Sequence, residues 1–309
     1  MSNIPHPNPL PKGGGTNESP HPINLRSVSG EGTFETDPRC IHRGLNNAVL
    51  EAKNFSISLG GKEILREVSF SVCRGEYVAI VGPNGAGKTT LLKCFDRLLT
   101  GGTGELEIEG TEHNRFRQKD LARLVAYVPQ ADSRMIPFSV EQFLLMCRYP
   151  HLSPFSPASK KDRQAVSEAM SRTNTAEFAG RRISTLSGGE RQKVYIAAAL
   201  AQGAHIWLLD EPTTFLDYNR QNEILALMAS VNKEIGVTIL AVTHDLNHAV
   251  LETDRVVALK DGRVVFNGPP AEIMKAEVLK RIYDTPLLLV DHPEKKISMI
   301  VPTMQRGEG

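Results

Sequence analysis

One stretch constrains the fold more than any other: VAIVGPNGAGKTT, residues 78–90. Its first four residues are apolar and read as a strand. A glycine-rich loop follows, and from Lys88 the run KTTLLKCFDRLL has helical spacing. The loop matches G-x-x-x-x-G-K-[ST] at Gly82, Gly87, Lys88 and Thr89. Glycines let successive backbone N–H groups turn inward toward one anion, and the helix N-terminus adds partial positive charge. Gly82, Pro83, Asn84, Gly85, Ala86, Gly87, Lys88, Thr89 and Thr90 are therefore the expected cradle for nucleotide phosphates. In such a loop the lysine reaches the β- and γ-phosphates and the Thr89 hydroxyl suits Mg²⁺. A strand so tied to a following helix belongs in the buried centre of an α/β sheet.

The rest of the chain fits that architecture. The run VLEAKNFSISLGGKEILREVSFSVCRGEYVAIVG alternates apolar and polar residues and turns at Gly60-Gly61 and Arg74-Gly75, which predicts three strands, the last being Tyr77–Val81. Residues from about 131 to 186 predict a helix-rich subdomain with Pro-containing breaks. From Leu186 a helix, an apolar strand (Ile206–Leu209), another helix and an apolar strand (Val237–Val242) alternate, the rhythm of a mostly parallel sheet. Asp261-Gly262 predicts a hairpin, and residues 271–309 a helix with one or two edge strands. The first 45 residues, rich in Pro, Gly and small polar groups, are expected to be a disordered tail, with His6 and His21 as solvated side chains. The main globular domain is expected over 46–275 and a C-terminal extension over 276–309.

Composition excludes several functions. A net charge of +1 offers no bulk attraction to nucleic acid or anionic membrane. No apolar run approaches the roughly 18 residues that span a bilayer. Cys40, Cys73, Cys94 and Cys147 lack a CxxC and a His partner, which argues against zinc or a disulfide framework and for reduced thiols.

Three further strand ends carry polar groups. HIWLLDEP closes on Asp210, placed to hold Mg²⁺, and Glu211, placed to orient or deprotonate a water. ILAVTHDLNHA puts His244 after an apolar strand, within reach of a γ-phosphate or the same water, while His248 is expected to be structural. Gln130, in AYVPQAD, ends another apolar strand, where its amide can touch Mg²⁺ or water and the Ala131-Asp132 loop can flex. A second anion grip opens a helix at Ser187-Gly188-Gly189-Glu190.

Together these residues resemble the ATP-binding subunit of ABC transporters, over about Leu50 to Ile300. The phosphate loop is Gly82–Thr90, the Q-loop residue Gln130, the signature LSGGE at 186–190, the second carboxylate motif at 206–211, the D-loop FLD at 215–217 ending in Asp217, and the switch histidine His244. MCRYPHLSPFSPASKKD, DEPTTFLDYNRQNEIL, THDLNHAV and the tail ending in IVP look like the subfamily that powers importers of iron–siderophore complexes, haem and cobalamin. The resemblance implies a P-loop NTPase fold with a mostly parallel core sheet, an antiparallel β subdomain and a helical subdomain. It implies an ATPase using ATP and Mg²⁺, with Thr89, Gln130 and Asp210 at the metal and Lys88, Gln130, Glu211 and His244 in catalysis. It also implies a head-to-tail dimer with a second copy, in which Ser187, Gly188, Gly189, Glu190 and Asp217 meet the partner's nucleotide. Transmembrane permease subunits and, indirectly, an extracytoplasmic substrate-binding protein complete the assembly, at the cytoplasmic face of a bacterial inner membrane. Import of another metal or nutrient is the alternative, and a soluble ABC protein acting on ribosomes or DNA a more distant one. The single cassette, the absence of an inserted coiled coil and the lack of a basic patch all argue against nucleic acid as a partner.

Two positions depart from the family pattern. Leu59 stands where an aromatic usually stacks on adenine, and Ala198 stands where the helix after LSGGE commonly has Arg. The first predicts weaker nucleotide binding, and the second a missing surface or interface salt bridge.

Overall fold

A computed structural model describes residues 48–130, 136–153, 157–294 and 297–301. The expected tail over residues 1–45 and the loop after Gln130 lie outside the described residues. The strands are β1 (Ala48–Leu59), β2 (Lys62–Cys73), β3 (Tyr77–Val81), β4 (Thr103–Ile108), β5 (Thr111–Glu112), β6 (Val125–Val128), β7 (Ile206–Asp210), β8 (Thr238–Val242), β9 (Arg255–Lys260), β10 (Arg263–Gly268), β11 (Leu288–Asp291) and β12 (Ser298–Val301). The α-helices are α1 (Lys88–Phe95), α2 (Gln118–Leu124), α3 (Val140–Cys147), α4 (Lys160–Arg172), α5 (Gly188–Gln202), α6 (Tyr218–Ser230), α7 (Leu246–Glu252), α8 (Pro270–Ile273) and α9 (Ala276–Tyr283).

A six-stranded sheet in the order β10-β9-β3-β8-β7-β6 forms the centre, and every pairing in it is parallel except β9 with β10. β3, β7 and β8 are buried at every position, as their unbroken apolar sequences require of strands covered on both faces. Alternation then splits the core. Ile80, Ile206, Leu208, Leu240 and Val242 pack with α1 residues Leu91, Leu92 and Phe95 on one face. Trp207, Leu209, Ile239 and Ala241 pack with α5 and α6 on the other.

The second sheet is antiparallel, in the order β2-β1-β4-β5. The three strands expected at the start of the chain therefore belong to two sheets. β1 and β2 form the expected hairpin, but β3 pairs with β8 and β9, which lie far along the sequence. The helix predicted over 88–99 ends at Phe95, because Asp96 caps it and Arg97 turns to a positive φ of 59°. The hairpin between β9 and β10 turns as predicted, with positive φ at both Asp261 and Gly262.

In the helical region α3 and α4 pack on α5 through Val140, Leu144, Val166, Ala169, Val194 and Ala197. A buried Arg148–Asp162 ion pair and the Ser159 cap of α4 fasten the same unit. Bonds from Ser159 hold the Asp162 carboxyl down to about 2. Leu279 and Ile282 of α9 are buried against Ala79, Val81, Val256 and Ala258. β11 and β12 form a separate hairpin. Asn247 of α7 fastens it, donating to the Ile300 carbonyl at 2.9 Å and accepting from the Ile300 N–H at 2.8 Å.

Among the described residues, Cys94 and Cys147 are free. Burial pushes these two thiols up to about 11 and about 12, so both are unreactive near neutrality. No helix among the described residues is long and apolar enough to cross a membrane.

Candidate functional site

The parallel pairing sets β3, β7 and β8 side by side and in register, so that Gly82, Asp210 and Thr243 follow one another along the same sheet edge. Ligand sites of open α/β sheets lie outside the carboxyl ends of the strands. Here that edge collects the residues picked out from sequence.

The phosphate loop is fixed by close backbone approaches. Gly82 has φ +136°, and a Cβ there would lie 1.9 Å from the Leu259 carbonyl oxygen. Gly87 has φ +96°, and its Cβ would lie 2.6 Å from the Leu65 side chain. The two ends of the loop are therefore wedged against β9 and β2 too closely for any side chain. Lys88 is buried and its ammonium donates to the Gly82 and Pro83 carbonyls at 2.8 and 2.9 Å. Burial lowers its pKa, and Glu211 and Asp210 oppose that shift. An arriving phosphate would restore the ammonium's missing solvation.

Thr89 and Asp210 meet directly: the Thr89 hydroxyl donates to Asp210 Oδ1 at 2.7 Å. The other carboxylate oxygen, Oδ2, accepts from the Tyr127 hydroxyl at 2.8 Å. Glu211 leaves the end of β7 in a left-handed conformation, φ 50°. Its Oε1 accepts from His244 Nε2, and its Oε2 accepts from Thr214 Oγ1 at 3.0 Å and, more loosely, from Gln130 Nε2 at 3.4 Å. Lys88, Thr89, Gln130, Asp210, Glu211 and His244 thus come together from four strand ends. A cavity of about 830 Å³ opens beside them, lined by Thr89, Tyr127, Gln130, Asp210 and Glu211.

A hard divalent cation fits this corner. Thr89 and Asp210 offer a hydroxyl and a carboxylate oxygen side by side, the few protein ligands Mg²⁺ takes when phosphates and water supply the rest. Among the described residues there is no cluster of three or more His, Cys, Asp or Glu suited to a metal, so a fully protein-built centre is not on offer there.

Ser187, Gly188, Gly189, Glu190 and Asp217 do not join this group in the single chain. Ser187 caps α5: its hydroxyl accepts from the Glu190 N–H at 3.3 Å, and the Glu190 carboxylate accepts from the Ser187 N–H at 2.8 Å. That second bond, foremost, holds the Glu190 carboxyl below its usual range. Asp217 caps α6 by accepting from the Arg220 N–H at 3.0 Å. Both caps are exposed, and Phe215, beside Asp217, is 88 % exposed with φ 64°.

Sequence reading missed Tyr127 and Thr214. Thr214 sits three residues past Glu211, a spacing that suits a turn bond. Tyr127 becomes visible only once β6 is paired with β7. Leu59 is half-buried and packs with Ile64 against the core near the loop. Ala198 corrects an expectation: it is buried, 7 % exposed, and lines a cavity of about 320 Å³ with Tyr127, Phe143, Cys147 and Tyr195. Alanine there borders a partly open pocket, so the position is not a freely exposed surface site for an ion pair. His248 is buried, and burial lowers its pKa.

A glycine loop wrapped at a helix start after β3, with a carboxylate at the end of β7 one strand beyond the intervening β8, defines the class as a P-loop nucleotide-binding ATPase. The ABC transporter family model matches residues 65–214. The ferric enterobactin transport ATP-binding protein FepC of Escherichia coli is 36 % identical, over 82 % of this chain and 94 % of its own. The iron(3+)-hydroxamate import ATP-binding protein FhuC of Bacillus subtilis is 38 % identical, over 79 % and 91 %. The hemin import ATP-binding protein HmuV of Streptomyces coelicolor is 39 % identical, over 81 % and 89 %. Among solved structures, a chain described as part of a metal-chelate type ABC transporter, in an inward-facing conformation, aligns with TM-score 0.72 at 26 % identity, over 84 % of this chain and 99 % of that one. The cassette MJ0796, dimeric and bound to ADP and Pi, aligns with TM-score 0.62 at 29 % identity, over 72 % and 98 %. The chain belongs to the ABC transporter family as an ATP-binding cassette.

Proposed function

We propose that this chain hydrolyses ATP to drive an importer of an iron chelate or haem. The observation that carries the ATPase reading is the convergence of Lys88, Thr89, Asp210, Glu211 and His244 at adjacent ends of parallel strands. The cargo reading rests on the relatives, whose names specify ferric enterobactin, iron(3+)-hydroxamate and hemin. Cobalamin is the remaining member of that cargo group.

The phosphate loop, Gly82 to Thr90, receives the triphosphate, and Lys88 transfers its hydrogen bonds from the loop carbonyls to phosphate oxygens. Thr89 and Asp210, with Gln130 beside them, would hold Mg²⁺, which when bound spreads the negative charge of the phosphates. Glu211 accepts the proton of the attacking water, and His244 holds Glu211 and the γ-phosphate side in line. Ser187, Gly188, Gly189, Glu190 and Asp217 act on the nucleotide of a second copy in a head-to-tail dimer. Closure of that dimer is driven by ATP and released by hydrolysis. The cassette spans 46–275, with its helical subdomain over about 131–186 facing permease subunits and 276–309 as an extension. The protein works at the cytoplasmic face of the inner membrane, and an extracytoplasmic binding protein hands cargo to the permease.

Glu211→Gln tests the assignment. The variant should bind ATP, form a stable dimer on a sizing column and lose at least about a hundredfold in Mg²⁺-dependent phosphate release. Near-normal turnover would remove Glu211 from the mechanism. Vesicles carrying the cognate permease then decide the cargo, by ATP-driven uptake of ferric siderophore, haem or cobalamin.

A further inference from the structure

The Tyr127 hydroxyl is the one part of the metal corner that neither the motifs nor the proposed mechanism uses. Strand alternation places it there. Val125 and Tyr127 of β6 point to the same face of the sheet as Ile206 and Leu208 of β7, the face that packs on α1. Tyr127 lies beside Leu208 in the parallel register, two residues before Asp210. The ring is half-buried and packs against the core, so its hydroxyl is delivered to a fixed point. There it donates to Asp210 Oδ2 at 2.8 Å, while Oδ1 takes the Thr89 hydroxyl at 2.7 Å. One carboxylate oxygen is thus occupied from the sheet edge, and the other is turned toward the phosphate-loop helix. The start of β6 is itself held, because Gln202 of α5 donates to the Ala122 and Val125 carbonyls at 2.7 and 2.8 Å.

We infer that Tyr127 is a positioning residue that fixes the rotation of the Asp210 carboxylate, so that Oδ1 faces Thr89 and the cation of a metal–nucleotide complex. The inference rests on the ATPase reading above. A carboxylate free to rotate about its terminal torsion spends part of its time with neither oxygen correctly aimed, since that torsion has broad wells. The hydroxyl removes this freedom before the nucleotide arrives. It also withdraws negative charge from Oδ2, which leaves Oδ1 as the oxygen available for the cation.

Tyr127→Phe keeps the ring and deletes the hydroxyl. A hydrogen bond to a charged acceptor lost in this way should weaken cation binding by about tenfold. The measurement is the Mn²⁺ affinity of the ATP complex, from electron paramagnetic resonance of free Mn²⁺ in the Glu211→Gln background, where ATP persists. In the otherwise wild-type chain, the Mg²⁺ concentration for half-maximal phosphate release should rise by a similar factor, with kcat at saturating Mg²⁺ little changed. ATP affinity in the presence of EDTA should stay within about twofold. Unchanged Mn²⁺ affinity overturns the inference. So does a loss of ATP affinity of equal size with and without metal, which would mark Tyr127 as packing only. If the wild-type chain itself shows no Mg²⁺-dependent hydrolysis, the ATPase reading is what fails, and the Mn²⁺ titration still decides the Tyr127–Asp210 link.

Discussion

The two helix starts that can grip an anion are built in opposite ways. At α1, Gly82 and Gly87 are locked against β9 and β2 at the two ends of the loop, Asn84 and Gly85 between them are exposed, and Lys88 is buried on the loop's own carbonyls. At α5 the cap is exposed, and Ser187 and Glu190 satisfy each other. The first is a finished pocket. The second is a stable, self-capped surface that becomes a binding element only when something is brought up to it. On the function proposed above, a single chain would hold one nucleotide with its own loop, and the second motif would act only against another molecule. The same contrast applies to Asp217, which is spent on capping α6 beside the protruding Phe215.

The comparison breaks most sharply at Ser187. Ser187→Arg should leave ATP binding to the single chain nearly intact and cost at least about a hundredfold in hydrolysis, as loss of a γ-phosphate donor and blocked closure would. Equilibrium binding and phosphate release measured on the same preparation decide it. Lost binding would place both anion grips on one nucleotide.

A second contrast concerns burial and pH. Asp96, at the C-terminal end of α1, is pushed up to about 7 by burial, whereas Glu190 at the exposed cap is held low. A carboxyl raised in the folded state contributes stability in full below its unfolded value, near 4, and loses it as pH rises through about 7. Asp96→Asn should stabilise the chain by about 1–3 kcal/mol at pH 8 and have little effect at pH 4.5. Thermal melts across that range check the sign. A constant difference at both ends would show that charge is not the cause.

The smallest effect is expected at the edge of the pocket. Leu59 is half-buried and aliphatic where stacking on the base is expected. Leu59→Tyr should tighten ATP by about fivefold or more, the lower end of what a base–aromatic stack contributes. Fluorescence titration with ATP against a triphosphate of another base would show whether the gain is selective for adenine.

Much of this was legible in the sequence because the relevant physics is local. A strand, loop and helix contiguous in the chain placed Gly82 to Thr90, and apolar runs ending in polar residues placed Asp210, Glu211, His244 and Gln130. The hairpin at Asp261-Gly262 was equally local. What could not be read depends on pairing across the chain. β1 leaves β3 and joins β4, setting Leu50 against Ile108. Tyr127 reaches Asp210 from another strand, and no spacing between residues 127 and 210 announces that. The burial of Ala198 went unread for the same reason, since burial on α5 depends on α3 folding over it.

The clamp made by Asn247 has a consequence for assembly. An antiparallel hairpin has two open edges, and each can recruit a further strand from another chain. Asn247 takes both backbone groups of Ile300 with one side-chain amide, occupying the outer edge of β12 as a neighbouring strand would. The hairpin is thereby closed to strand addition at that point. A strand added along β12 would have to displace Asn247 from Ile300 first.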